Sequence, residues 1–136
     1  MPGCVLRVCG DDFRVDTFLA DSPLRPYRVH HRGDVGRHSQ RFTDSGFCLD
    51  ISSADGDLPA EVADAIAFLS THEAELQRLR VFPGVTDIRL DFGYYHRGAA
   101  VQCDYLSPEL LARAGALGIG IELSLYPALP PESPVA

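Results

Sequence analysis

The chain has 136 residues, 46% of them hydrophobic and 23% charged, with a formal net charge of −7. That length fits one domain around one core, and the composition excludes a collagenous, mucin-like or wholly disordered chain. The negative balance argues against nucleic acid as a partner, and no apolar run approaches the roughly 20 residues that cross a bilayer, so no membrane partner is expected.

The N-terminus opens almost at once on Cys4, Val5, Leu6, Arg7, Val8 and Cys9, a strand-like run with no charged leader or long apolar segment before it. The expected location is therefore the cytoplasm. There the widely spaced Cys4, Cys9, Cys48 and Cys103, all set in expected strands, are read as reduced thiols in or near the core. No Cys-x-x-Cys pair is present to build a zinc or redox centre. After Gly10, either Asp11 or Asp12 is placed to cap a short helix carrying Val15, Phe18 and Leu19.

Residues 21–45 lose all periodicity and carry Pro23, Pro26, Gly33 and Gly36, which predicts a long loop with a brief extended piece over 27–31. Phe47, Leu49 and Ile51 then alternate with Cys48, Asp50 and Ser52, the two-residue period of a half-buried strand. Asp57 and Pro59 open the strongest helix, where Val62, Ile66, Leu69, Leu76 and Leu79 form one apolar stripe over about 21 residues, or roughly 32 Å. Pro83-Gly84 ends it, and Ile88, Leu90 and Phe92 alternate with Asp87, Arg89 and Asp91 in another strand. Residues 93–98 read as a hairpin connection into a strand over 100–105. Ser107-Pro108-Glu109 combines a hydroxyl cap, a proline at the first helical position and a carboxylate at the positive end of the helix dipole. That helix stops near Gly115 or Gly118, and Ile119, Ile121, Leu123 and Leu125 form the last strand.

Each of these strands is apolar on one face only, which implies a sheet covered on one side. The expected fold is α+β: a two-layer sandwich with a mixed or mostly antiparallel sheet of about five strands and helices on one face, of which the ferredoxin-like split β-α-β arrangement is the commonest relative. Residues 1–126 are expected to form the single domain and the proline-rich 127–136 a disordered tail.

Several stretches resemble small uncharacterised bacterial proteins of the domain-of-unknown-function 4279 type. The resemblance rests on Cys9 to Phe13, on the stretch from Pro26 to Gly33 and Asp34, on Ser45-Gly46-Phe47, and on Glu109-Leu110-Leu111 through Ser124-Leu125-Tyr126. It covers most of the chain and implies an accessory or immunity-type factor, with no catalytic residues to carry over.

Two patches could carry function. Arg25, Arg28, Arg32, Arg37 and Arg41 fall close together with His30, His31 and His38, and Asp34 is the one acid among them. Arginine forks bind carboxylate and phosphate bidentately, and the histidines would add pH dependence. The bland alternative is a solvated loop whose arginines pair with the acidic body. A metal site is not expected, because His30 and His31 are adjacent and a fourth ligand is missing.

The second patch is the outer sheet face, where Arg7, Asp50, Asp87, Arg89, Asp91, Gln102, Asp104 and Glu122 all point away from the helices if the alternation holds. It would dock a basic partner, supply a carboxylate pair as general acid and base, or be an ordinary wet face laced with cross-strand ion pairs.

Smaller motifs carry less. His72-Glu73 begins a zinc-protease motif that Leu76 breaks, and Asp91-Phe92-Gly93 copies a kinase triplet without a glycine-rich loop or a lysine. All twelve cationic side chains are arginine, which excludes any Schiff-base mechanism. Tyr94, Tyr95, His96 and Arg97 read as an aromatic hairpin tip, and Cys9 as an inert thiol.

The expected function is a non-enzymatic protein-interaction module working without a cofactor. Its partner is another protein, with a homodimer as a further expectation. The alternative is a binder of a small anionic ligand, or an enzyme acting on one, through the arginine and histidine loop 25–41.

Overall fold

The computed structural model describes residues 2–128; most of the proline-rich tail, from 129 onward, lies outside the described residues. Five strands form one sheet in the order β2-β3-β1-β4-β5. They are β1 (Cys4–Gly10), β2 (Arg28–His30), β3 (Ser45–Asp50), β4 (Asp87–Tyr95) and β5 (Gly120–Tyr126). Only β4 and β5 run parallel; the other neighbours are antiparallel. Because β3 and β4 flank β1 and both oppose it, the helical connection between them completes a split β-α-β unit. The helices are α1 (Val15–Ala20), α2 (Leu58–Thr71), α3 (Glu73–Arg80) and α4 (Pro108–Ala116). Among the described residues, no helix is long and apolar enough to cross a membrane.

The two-residue period sorts the sheet into faces. Leu6, Val8, Phe47, Leu49, Ile88, Leu90, Phe92 and Tyr94 are buried on the helix side and join Phe18, Val62, Leu69, Leu76, Leu79 and Leu110 in one core. Phe18 and Phe47 stack with ring centroids 6.1 Å apart. Burying either ring contributes about 2–3 kcal/mol. Arg78 locks α3 onto α1, lying 4.0 Å from the Phe18 ring centroid and donating a 2.9 Å hydrogen bond to the Phe18 carbonyl.

Caps behave as the residue types require at two helices. Asp57 accepts from the amide of Ala60, and Ser107 from that of Leu110. At α1 neither Asp11 nor Asp12 is the cap: Arg14 occupies that position without a side-chain hydrogen bond. The expected long helix is two, broken at His72 (φ −107°, ψ 22°), whose ring lies 4.7 Å from that of Phe68. Ser70, Thr71 and His72 are poor helix formers in a row, and the bend leaves Leu76 and Leu79 buried while the stripe changes direction.

The expected hairpin after Phe92 is absent. β4 runs on through Gly93, Tyr94 and Tyr95, and Tyr94 is buried in the core rather than exposed at a tip. Residues 100–105 form no strand, so Cys103 lies exposed in a coil, outside any sheet. That coil is held instead by Arg97, whose amide donates to Gln102 Oε1 and whose guanidinium reaches Asp104 at 2.9 Å.

Candidate functional site

The long loop is an ordered arm. β2 pairs with β3 so that Arg28 lies opposite Cys48 and His30 opposite Gly46. Beyond β2 the chain turns back on itself: the amide of Gly33 donates to the Phe42 carbonyl, that of Phe42 to Asp34, and that of Gly36 to Gln40. The tip is a single 3-10 turn, Arg37–Ser39, where His38 (φ 57°) and Ser39 (φ 60°) both take the left-handed conformation. Two non-glycine residues held there store strain of order 1–3 kcal/mol each.

Register places Arg28 and His30 on the outer face of the sheet. They share it with Cys48 of β3, Arg7 and Cys9 of β1, Asp87, Arg89 and Asp91 of β4 and Glu122 of β5. The arginine loop and the acidic face, separate in the sequence, therefore meet along β2. Where they meet, an open cleft of about 360 Å³ is lined by Arg7, Arg28, Arg89, His30, Asp44 and Cys48, among others.

Most charges in the cleft are already committed. Arg7 reaches Asp91 at 3.0 Å, and the Ser124 hydroxyl donates to the other oxygen of that carboxylate. Arg89 bridges Asp87 and Glu122, each at 2.7 Å, which raises its pKa further above the ordinary arginine value. His30 holds Asp44 at 2.8 Å while its ring stacks on Phe42 at 4.5 Å. Arg28 is the exception: among the described residues its guanidinium has only the Cys48 sulfur, at 3.7 Å, and Arg7 approaches the same sulfur at 3.4 Å.

The arm is the reverse. Among the described residues, none of Arg25, Arg28, Arg32, Arg37 and Arg41 makes an ion pair. Arg25 turns back onto the carbonyls of Ser22 and Leu24, and Arg41 onto that of Gly33. All five arginines are exposed. The bland expectation that they pair with the acidic body is thus not met. The three histidines diverge: His30 faces the sheet, His31 bonds Asp16 at 2.7 Å and Asp34 at 3.3 Å, and His38 sits at the tip. Among the described residues, no group of three or more His, Cys, Asp or Glu is placed to hold a metal ion.

The chain matches no protein-family model, no curated protein and no solved structure.

Two members of the expected acidic face lie elsewhere. Gln102 and Asp104, expected on a strand that does not form, belong to the coil around Arg97. Asp50 is exposed at the end of β3 and lines a different depression, with Ser52, Asp55 and Asp64. Asp91 is buried rather than displayed. Burial and then Asp44 push the Cys9 thiol up to about 11, which fits an unreactive group.

Glu61, in the first turn of α2, is the residue that patterning missed. It is fully buried, and among the described residues neither carboxylate oxygen has a hydrogen-bond partner. The nearby Gly93 amide, which donates to Gly3 at 2.9 Å, favours the ionised form but does not outweigh the desolvation. Burial first, then Asp57, Asp55 and Asp91, raise the Glu61 pKa to about 7. The signal was its spacing: Leu58, Glu61, Val62, Ala65 and Leu69 share one helical face, which puts a carboxylate in a core position.

Proposed function

We propose that this protein is a binding module that engages an acidic surface or segment of another protein along the arginine arm, residues 25–41. One observation carries this reading: five exposed arginines, without ion pairs among the described residues, stand on or at the root of one ordered arm of a chain whose net charge is −7. An acidic protein that concentrates unpaired guanidinium groups in one place gains an oriented dipole, which steers an acidic partner and fixes its register. The backbone bonds across the arm support prior ordering, so binding does not have to include the cost of folding the loop.

The small-anion alternative is weaker. The cleft has three arginines, but Arg7 and Arg89 are held by carboxylates, leaving Arg28 without convergent partners. A location in the cytoplasm, and membership of the uncharacterised family that the sequence resembles, belong to the same proposal.

Replacing Arg28 and Arg32 together with alanine is expected to weaken binding of a fluorescent polyglutamate peptide about tenfold at low salt, measured by anisotropy. Arg113→Ala, which removes an exposed arginine paired with Glu109 on α4, is the control and should leave the affinity unchanged. Equal losses in both variants would reduce the effect to net charge and sink the proposal. Tight binding of inorganic phosphate, lost on Arg28→Ala alone, would favour the cleft instead.

A further inference from the structure

The two edges of the sheet are unlike. β2 is three residues long, follows Pro26 and carries Arg28, the usual devices that keep an edge from pairing with another chain. β5 has none of them. It runs seven residues in unbroken register with β4, without lysine, arginine or proline, and its single charge, Glu122, is bound to Arg89 on the outer face. On the helix side of that edge Leu123 and Leu125 remain 45% and 55% exposed, and Leu111 of α4 is 48% exposed.

The backbone says how the edge would be used. The Tyr126 carbonyl accepts from the His96 amide, so residue 126 turns its polar groups toward β4. By the alternation of a strand, residues 120, 122 and 124 do the same, and Ile121, Leu123 and Leu125 turn theirs outward. An antiparallel two-fold pairing must bring outward-facing residues opposite one another. Centred on Glu122, it would set two Glu122 carboxylates directly opposite in the closest-approach position. Centred on Ser124, it would pair Ile121 with Pro127, which has no amide to donate. Centred on Leu123, it pairs Leu123 with Leu123 and Ile121 with Leu125 through all three outward residues, and sets each Glu122 opposite a Ser124.

We infer that this protein forms a symmetric dimer by antiparallel β5–β5 pairing centred on Leu123, giving one continuous ten-stranded sheet. In this register the leucines of both copies fall on the helix side, where Leu123, Leu125 and Leu111 close over one another, and both outer faces keep their charges. The inference stands apart from the arginine arm, which lies at the opposite edge of the sheet.

The wild-type chain at concentrations on the order of 100 μM is expected to scatter light as a dimer. Leu123→Lys, at a side chain already half exposed, should give a folded monomer by the same measurement, with an unchanged circular dichroism spectrum. Register is read by cross-linking in a Cys103→Ser background. The double variant Glu122→Cys, Ser124→Cys should form a disulfide-linked dimer on mild oxidation, and Glu122→Cys alone should not. A monomeric wild type would leave the edge to a strand of another protein or to residues 129–136, and would overturn the inference. A dimer that persists in Leu123→Lys, or efficient linkage through Glu122→Cys alone, would overturn it equally.

Discussion

Glu61→Met is expected to stabilise the protein by about 2–3 kcal/mol at about pH 8 and to change its stability far less at about pH 4. Glu61 is fully buried, lacks a hydrogen-bond partner among the described residues, and has its pKa raised from 4.5 to about 7. A carboxyl whose pKa is higher in the folded chain binds its proton more tightly there than in the unfolded chain. Folding is therefore favoured while the group is protonated, below about pH 4.5, and that contribution is lost as the pH rises through about 7. The full span is about 3 kcal/mol, a large share of the stability of a domain this size.

The carboxylates facing Glu61 all act in the same direction, opposed by the Gly93 amide. Asp55 and Asp57 precede its helix and Asp91 approaches from β4, so each penalises its ionised form. Cys4 of β1 feels Glu61 in return, and burial above all holds that thiol protonated. His31 is raised by Asp16 and Asp34, and its contribution is likewise lost with rising pH, so wild-type stability alone does not isolate Glu61. The difference between wild type and Glu61→Met does, because His31 is common to both. Urea midpoints taken from about pH 4 to pH 8 should converge at the acid end and separate by up to one proton's slope, about 1.4 kcal/mol per pH unit. Parallel midpoints across that range would mean that Glu61 binds its proton equally well in the folded and unfolded chains, with no upward shift of its pKa.

Glu61 also shows where reading the chain alone runs out. The alternation at Ile88, Leu90 and Phe92 and the Ser107-Pro108-Glu109 opening act over a few residues, and both led to the elements observed. Tyr94 obeys the same alternation one step further. Gly93 and the polar run Tyr95-His96-Arg97 masked it, because those residue types are as common in turns as at the end of a long strand. The site was legible by composition and not by geometry. Arg28 and His30 stood out as charged loop residues, yet their place on the sheet face depends on a three-residue strand pairing with residues 46–48, and a strand that short has too few residues to show a period. Cross-strand partners such as Arg7 with Asp91 are separated by 84 positions and leave no local trace.

Gly46→Ala should be the most damaging single-methyl change at the site, costing about 3 kcal/mol or more. Gly46 lies between Cys9 of β1 and His30 of β2, and a Cβ there would stand 2.0 Å from the Val8 carbonyl oxygen and 3.0 Å from both the Cys9 Cα and the His30 ring. The oxygen belongs to the central strand, paired on both sides, so it cannot swing away as the end of a flexible side chain would. Relief requires β1 and β3 to part, which also lifts His30 away from Asp44 and loosens the root of the arm. Two other glycines calibrate the effect. Gly33→Ala meets nothing within 4 Å but must hold φ at +92°, a strain of about 1 kcal/mol. Gly115→Ala, in α4 with open space around it, should instead stabilise by about 0.5–1 kcal/mol. Thermal midpoints of the three variants should therefore rank Gly115→Ala above wild type, Gly33→Ala a few degrees below it, and Gly46→Ala far below. In the fraction of Gly46→Ala that remains folded, polyglutamate affinity should fall as well, because the arginines of the arm no longer share a fixed frame. A near-wild-type midpoint for Gly46→Ala would mean that β1 and β3 lie further apart than the 2.0 Å contact allows.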